Sequence, residues 1–231
     1  MSRPLEGQIA LVTGASRGIG KACALALGHA GAQVALCARD VDACRAIAES
    51  LPNSKAFPLD LTNDESIAAC AEAVARDLGP VDILVNNAGI ALSAPMHRTA
   101  PGDLRRMMDV NFTGAFLLTQ ALLPSMLERR RGRVINVAST AGRAGYRYTV
   151  AYCASKHALV GMTRALAQEV AHKGICVNAV CPGWTETDML DASAKSISQH
   201  TGRSYEDAVS TLAKMNPMGR LIRPEEVAHW K

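Results

Sequence analysis

The segment AYCASKHAL, residues 151–159, sets a tyrosine and a lysine four residues apart among small side chains. Positions four apart lie on one face of an α-helix, so Tyr152 and Lys156 would point into the same cleft. A phenol normally loses its proton near about pH 10, and a neighbouring ammonium should lower that pKa. We therefore predict that Tyr152 exchanges a proton with a substrate and that Lys156 lowers the pKa of its phenol.

A glycine-rich loop, TGASRGIG at residues 13–20, follows an apolar run and precedes a helical pattern. Gly14 allows a tight turn, while Gly18 and Gly20 let a diphosphate approach the backbone at the start of a helix. The spacing G-x-x-x-G-x-G differs from the commoner G-x-G-x-x-G fingerprint, but the loop occupies the same first strand-to-helix connection. We therefore predict that it binds a dinucleotide.

Two arginines bear on which dinucleotide is bound. Proteins that bind NAD place an acidic residue near the end of the second strand, against the ribose 2′-hydroxyl. Here Ala38 occupies that place and Arg39 follows it, while Arg17 lies in the glycine loop. Two guanidinium groups suit a 2′-phosphate through charge-assisted hydrogen bonds, so we favour NADP(H). NAD(H) stays open, because a shift of one residue would bring Asp40 to the ribose.

These residues belong to a chain that alternates short apolar runs with longer helical patterns. The predicted strands are residues 9–13, 33–37, 55–59, 83–86, 134–138 and 175–180. The predicted helices are residues 18–30, 41–50, 64–78, 111–128 and 149–172. Six strands joined through helices by right-handed crossovers predict a single domain, residues 1–231, of the α/β class: a doubly wound, Rossmann-like parallel sheet between two helical layers.

Residues 185–220 follow the last predicted strand and carry two short helical patterns, at about 188–199 and 204–214. In an open α/β sheet, a segment inserted after the carboxyl end of a strand lies over the ligand crevice. We therefore predict a helical lid. The alternative is that the segment serves core packing or a subunit contact.

The composition limits the class of protein. The chain has 231 residues and a net charge of +4, with 48% hydrophobic residues, which suits one α/β domain. The basic run at residues 129–133 is typical of a solvated helix end, so we expect no nucleic-acid partner. Seven cysteines without a CxxC pair are interpreted as reduced core residues of a cytoplasmic protein with no metal site. We see no transmembrane span or signal peptide and expect no membrane partner.

Several motifs together resemble one known family, the short-chain dehydrogenases/reductases, from residue 7 to about residue 229. The matching pieces, in the order and spacing of the family, are TGASRGIG (13–20), LDLT (59–62), NNAG (86–89), Asn111 in DVNFTG, Ser139 in INVAST, YCASK (152–156) and CPGWTETDM (181–189). Within the family the chain is most similar to the 3-oxoacyl-(acyl carrier protein) reductases and related ketoreductases. The segments GICVNAVCPG and NPMGRLIRPEEVA carry that similarity.

The resemblance implies reduction of a ketone by hydride transfer, with four catalytic residues. Tyr152 would donate the proton, Lys156 would also hold the nicotinamide ribose, Ser139 would hydrogen-bond the substrate carbonyl, and Asn111 would anchor a water chain to Lys156. The residues implied at the cofactor are Gly14, Ser16, Arg17, Gly18, Ile19, Gly20, Arg39, Asp60, Leu61, Asn87, Ala88, Gly89, Pro182, Gly183, Thr185 and Thr187, together with Tyr152 and Lys156.

Three functions stay open on this basis. The favoured one is an NADPH-dependent ketoreductase that acts on a small ketone or on a 3-oxoacyl thioester of a carrier protein or CoA. The others are an NAD-linked alcohol or hydroxyacyl dehydrogenase of the same mechanism, and a non-catalytic dinucleotide-binding protein. The family continues past the PEEVA segment into a further strand that this chain lacks. That strand helps the family form homo-oligomers, dimers or tetramers, so we expect an altered sheet edge here.

Overall fold

Six parallel strands form one sheet in the order β3-β2-β1-β4-β5-β6. The structure is a computed structural model and describes residues 3–229. The strands are β1 (Ile9–Thr13), β2 (Gln33–Ala38), β3 (Lys55–Pro58), β4 (Ile83–Asn86), β5 (Gly132–Val137) and β6 (Ile175–Val180). The strand order reverses between β1 and β4, and a crevice opens at such a point beyond the carboxyl ends of the strands. The prediction of a doubly wound α/β sheet is confirmed.

Helices cover both faces of this sheet. They are α1 (Gly18–His29), α2 (Val41–Ala48), α3 (Asp64–Asp77), α4 (Pro101–Met108), α5 (Gly114–Arg129), α6 (Val150–Val170), α7 (Asp188–Thr201), α8 (Tyr205–Lys214) and α9 (Pro224–Ala228). Side chains of α3, α5 and α6 join one buried core, and those of α1, α2 and α9 join a second. The sheet therefore lies between two helical layers, as predicted.

The strand β1 shows how one sequence serves both cores. Ile9 and Leu11 lie in the core beneath α3 and α5, whereas Ala10 and Val12 lie in the core beneath α1 and α2. Successive side chains of a strand point to opposite faces, so a strand covered on both sides must be apolar throughout. This requirement explains why the central strands are continuous apolar runs in the sequence.

The two helices predicted for the lid are confirmed as α7 and α8, which begin within one residue of the predicted positions. Leu190 and Ala194 of α7 pack against Ala208 and Leu212 of α8 in a small core of their own. Ser204 caps α8 by accepting a hydrogen bond from the Asp207 N–H at 3.0 Å. The lid is thus a separately packed layer added to the sheet.

One predicted helix boundary is wrong. Residues 111–128 were expected to form a single helix, but α5 begins at Gly114, and the π-helical turn Asp109–Thr113 joins it to α4. The helix α4 was not predicted, because it is largely polar and Met107 is its only buried side chain. A π-helical turn inserts an extra residue into the helical register, and such turns are frequent at functional sites. Asn111 lies in this turn.

The continuous helical run Pro101–Arg129 is 29 residues long and, by length and composition alone, could cross a membrane. The core helix of a folded domain has the same composition. Leu118, Leu122 and Met126 of this run are buried in the core beneath the sheet. That no membrane partner exists stays a prediction.

The basic run at residues 129–133, which begins at the last residue of α5, is not only a solvated helix end. The Asp82 carboxylate is buried and forms ion pairs with Arg129 and with Arg131, the latter at 2.8 Å. It also accepts a hydrogen bond from the Ile9 N–H at 3.0 Å. The arginine run therefore fixes the amino end of β4 beside β1.

The interpretation that all the cysteines are core residues is wrong for Cys176, which is exposed on β6, the last strand of the sheet.

Candidate active site

The glycine loop occupies the crevice end of β1 and leads into α1. Gly14 and Gly18 have φ angles of +65° and +53°, the left-handed region that favours glycine. A Cβ atom at Gly20 would lie 2.2 Å from the Gly14 carbonyl oxygen. The backbone of this turn therefore admits no side chain at these positions, which is the arrangement that a bound diphosphate requires. Ser16, Arg17 and Ile19 lie between these glycines, and the Arg17 side chain is exposed.

The segment Asn87–Ala88–Gly89, which follows β4, contacts the glycine loop on one side and the catalytic candidates on the other. The Thr13 hydroxyl accepts hydrogen bonds from the Asn87 and Ala88 N–H groups, both at 3.0 Å. A Cβ atom at Gly89 would lie 3.4 Å from Lys156 Nζ. The predicted cofactor residues and the predicted catalytic residues therefore form one continuous site.

Tyr152 and Lys156 share a face of α6, as the sequence predicts. The Lys156 Nζ lies 6.0 Å from the centroid of the Tyr152 ring and donates a hydrogen bond to the Val137 carbonyl oxygen at 2.9 Å. The lysine side chain is buried, with 3% of its surface exposed. Burial disfavours the charged amine and lowers the pKa of Lys156 to about 8.

The expectation that the pKa of the Tyr152 phenol is lowered is wrong for this structure. Burial of the ring raises the pKa of Tyr152, and a hydrogen bond with Ser139 opposes that rise without cancelling it. Lys156 does not lower this pKa, since its amine is bonded to Val137 rather than to the phenol. The phenol therefore carries its proton at neutral pH, which is the form needed to protonate a substrate oxygen.

Ser139 follows β5 and lies beside the phenol. Its backbone is extended, and its hydroxyl accepts a hydrogen bond from the Ala141 N–H at 3.1 Å, which starts the short 3-10 turn Thr140–Gly142. This bond fixes the Ser139 oxygen at the carboxyl end of the strand. Ser139 and Tyr152 thus place two hydroxyl groups together where a carbonyl oxygen could bind.

The Asn111 side chain is buried and holds the π-helical turn against the loop after β4. Its Nδ2 donates hydrogen bonds to the Ile90 carbonyl oxygen and to Ser155 Oγ, both at 2.9 Å, and its Oδ1 accepts from the Ile90 N–H at 2.8 Å. Ser155 in turn donates to the Tyr152 carbonyl oxygen at 2.8 Å. Asn111 and Ser155 therefore connect α6 to this loop, and both amide hydrogens of Asn111 are already used.

Arg39, Asp60 and Leu61 lie at the ends of β2 and β3. Arg39 is exposed and makes no ion pair with residues 3–229. Hydrogen bonds from the N–H and hydroxyl of Thr62 hold the pKa of Asp60 below its usual value, and the charge of Arg39 acts in the same direction. Arg39 is thus close enough to Asp60 to affect its charge. Leu61 is buried against Gly114.

Asp40, the residue that would favour NAD(H), has another role. Its side chain accepts a hydrogen bond from the Ala43 N–H at 3.1 Å and caps α2. A carboxylate in this position satisfies a backbone donor at the start of a helix. The chain therefore leaves the cationic Arg39, rather than an acid, free at the end of β2.

Pro182, Gly183, Thr185 and Thr187 form the loop from β6 to the lid. The buried Thr185 makes a parallel bridge with Ile222, so the two ends of the lid meet. Thr187 approaches the glycine loop, since a Cβ atom at Gly18 would lie 3.1 Å from Thr187 Cγ2. The predicted nicotinamide loop and the glycine loop are therefore in contact.

Asn216 is a positioning residue that the sequence analysis missed. Its Oδ1 accepts a hydrogen bond from the Trp184 N–H at 2.8 Å, and its Nδ2 donates to the carbonyl oxygens of Trp184 and Arg220 at 2.9 and 2.7 Å. A Cβ atom at Gly183 would lie 2.3 Å from Asn216 Oδ1. Only the motif NPMGRL, here read as a family marker, pointed to this residue.

We predict that Asn216→Ala lowers the free energy of unfolding by about 1–3 kcal/mol, because the Trp184 N–H loses its partner in a half-buried loop. Urea denaturation followed by circular dichroism measures this change. Asn178→Ala is the matched control, since Asn178 is exposed on β6 and should change stability little. Equal effects of the two substitutions would contradict the positioning role.

Two cavities lie near this site but are not lined by Tyr152 or Lys156. One of about 620 Å³ lies beside the lid and is lined by residues that include Glu186, Val209 and Arg220. The other, of about 380 Å³, lies beside β6 and includes Thr163 in its lining. The catalytic candidates are instead connected to the predicted cofactor residues through Gly89, which lies against the side chains of Asn111 and Lys156.

Comparison with known proteins identifies the family. A family model for short chain dehydrogenases matches residues 8–198. The 3-oxoacyl-(acyl-carrier-protein) reductase FabG of Vibrio cholerae is 42% identical over 225 residues, which are 97% of this chain and 88% of that protein. The acetoacetyl-CoA reductase of Rhizobium meliloti is 40% identical over 224 residues, 96% of this chain and 88% of that protein. A crystal structure of the actinorhodin polyketide ketoreductase with NADPH matches with a TM-score of 0.92 and 38% identity, covering 99% of this chain and 89% of that one. The chain belongs to the short-chain dehydrogenase family and is an NAD(P)-dependent oxidoreductase.

Proposed function

We propose that this protein is an NADPH-dependent ketoreductase that reduces a 3-oxoacyl thioester to the hydroxyacyl thioester. One observation carries the proposal: the buried Lys156, which shares a face of α6 with Tyr152, lies against Gly89 of the segment that contacts the glycine loop. This arrangement joins a dinucleotide cradle to a protonated phenol. The relatives named for reduction of carrier-bound and CoA-bound 3-oxoacyl groups support the substrate class.

The residues of the chain supply the proton and the orientation. Bound NADPH supplies the hydride. Ser139 hydrogen-bonds the carbonyl oxygen of the substrate, and Tyr152 donates its phenolic proton to that oxygen as negative charge develops on it. In its protonated form, Lys156 would hold the nicotinamide ribose through charge-assisted hydrogen bonds. Asn111 keeps α6 and the loop after β4 in register through Ile90 and Ser155.

The choice of NADPH rests on two positively charged side chains, Arg39 at the end of β2 and Arg17 in the glycine loop. Arg39 and Arg17 present two exposed guanidinium groups, while the Asp40 carboxylate caps α2. A 2′-phosphate gains charge-assisted hydrogen bonds from such groups, whereas a ribose hydroxyl gains little. The neighbouring ketoreductase structure contains NADPH, which supports the same choice.

We predict that Arg39→Ala weakens NADPH binding about 10–100-fold, which corresponds to the loss of one hydrogen bond to a charged group. NADH binding should change little, because NADH carries no phosphate at the 2′ position. Titration of the two dinucleotides by isothermal calorimetry measures both constants. Arg45→Ala removes the same charge from an exposed site on α2 and is the control. Tighter NADH than NADPH binding by the unchanged protein would overturn the choice of cofactor.

The reaction itself is tested by following NADPH oxidation with acetoacetyl-CoA and with acetoacetyl-acyl carrier protein. Turnover with either thioester, and its absence with simple alcohols and NAD, would support the proposal. Turnover only with alcohols and NAD would favour the alcohol dehydrogenase alternative. NADPH binding without turnover across a panel of ketones would favour a non-catalytic protein.

The cytoplasmic location and the homo-oligomer, dimer or tetramer, stay predictions. Phe116 is 43% exposed on α5 and its ring contacts Phe112. Leu104, on α4, is also exposed. Exposed apolar side chains on adjoining helical segments are consistent with a subunit contact.

A further inference from the structure

The glycine loop and the lid are joined by an ion pair at the entrance of the cofactor site. Arg17 Nη1 lies 2.8 Å from Asp188 Oδ2, and Asp188 is the first residue of α7. The next residue of the loop, Gly18, lies against Thr187, so the two segments touch at consecutive positions. The arginine that the proposed function assigns to a 2′-phosphate is therefore already paired with a carboxylate of the lid.

We propose that Asp188 is a specificity-determining residue that competes with the 2′-phosphate of the dinucleotide for Arg17. This inference rests on the proposed function, because it requires Arg17 to meet that phosphate. A phosphate at Arg17 would stand close to the Asp188 carboxylate, and two anions so placed repel each other. NADH brings no anion to this position and leaves the ion pair intact.

The ion pair between Arg17 and Asp188 is weak enough for a phosphate to replace the carboxylate. The side chains of Arg17 and Asp188 are 74% and 65% exposed, and exposed ion pairs are weak. A phosphate of about two negative charges can displace a single exposed carboxylate from the guanidinium. Asp188 should thus reduce the affinity for NADPH modestly. The ion pair between Arg17 and Asp188 should break when NADPH binds and stay formed when NADH binds.

The test is Asp188→Asn, with NADPH and NADH bound to the full-length protein in calorimetric titrations at low salt. We expect NADPH to bind about 2–5-fold more tightly, the range of a weak exposed ion pair, and NADH binding to stay unchanged. Asp191→Asn is the matched control. It removes a carboxylate from the same first turn of α7, but that carboxylate accepts a hydrogen bond from the Tyr205 hydroxyl at 2.7 Å.

A double-mutant cycle with Arg17→Gln completes the test, because the effect of Asp188→Asn should vanish when Arg17 is absent. Equal changes for both dinucleotides, weaker NADPH binding, no change, or the same gain from Asp191→Asn would each overturn the inference. When one of these results is found but the unchanged protein still binds NADPH and oxidises it with a ketone substrate, only the inference about Asp188 fails and the proposed function stands. If it binds no NADPH, both fail.

Discussion

Tyr152→Phe will reduce the rate of carbonyl reduction by about 10²–10⁴-fold, the usual contribution of a positioned general acid. The substitution removes one oxygen from a ring that is otherwise packed in place, so the fold and the dinucleotide site should be kept. The phenol has a raised pKa and is protonated at neutral pH. Phenylalanine has no proton to give, and solvent reaches this half-buried position poorly.

Single-turnover oxidation of bound NADPH by acetoacetyl-CoA measures this effect, and a separate titration checks that NADPH affinity is unchanged. Tyr205→Phe is the control, because that hydroxyl is exposed on the lid and bonds Asp191. A Tyr152→Phe protein that keeps more than about a tenth of the rate would show that another group donates the proton.

Lys156→Gln will reduce kcat/KM for NADPH by about 10²–10³-fold, comparable to the loss of one preorganised charged donor. It will also remove a pH dependence. Burial places the pKa of Lys156 at about 8, so the amine is charged below that pH and neutral above it. If the charged form binds the ribose, the titration of Lys156 will leave kcat/KM constant below about pH 8 and will lower it as the pH rises through 8.

A pH profile of kcat/KM for NADPH tests this, because that parameter reports ionisations of the free enzyme. Glutamine cannot lose a proton here, so its profile should lack the alkaline fall. Lys173→Gln changes an exposed lysine after α6 and should keep it. A wild-type profile that rises through pH 8 would mean that the neutral amine is the active form.

The sequence predicted β1 and β4 to the residue, because strands buried on both faces are unbroken apolar runs. The bounds of β6 were also predicted to the residue, although Cys176 and Asn178 on that strand are exposed. It also predicted that Tyr152 and Lys156 share a face, since that depends only on helical spacing. The helix α4 could not be found from its apolar pattern, as it buries only Met107. The π-helical turn that orients Asn111 leaves no mark in residue spacing.

Contacts between segments distant in sequence account for the remaining differences. Asn216 binds Trp184 across the lid, and Arg129 and Arg131 bind Asp82. The sense of the pKa shift of Tyr152 was missed for a related reason. Spacing predicts that two groups are neighbours, but the burial of the ring and the Val137 carbonyl oxygen that accepts a hydrogen bond from the lysine amine depend on the whole fold.

The bridge between Thr185 and Ile222 holds the two ends of the lid together, so the lid is a loop with fixed ends. The lid starts after Trp184, and its far end is held beside that residue, because the Ile222 N–H donates a hydrogen bond to the Trp184 carbonyl oxygen at 3.0 Å. Because the ends of the lid are fixed, the entropic cost of closing this loop rises only slowly as the loop becomes longer. Residues 189–215 can therefore vary in length and sequence while Thr187, Asp188 and Asn216 keep their contacts with the glycine loop and with Trp184.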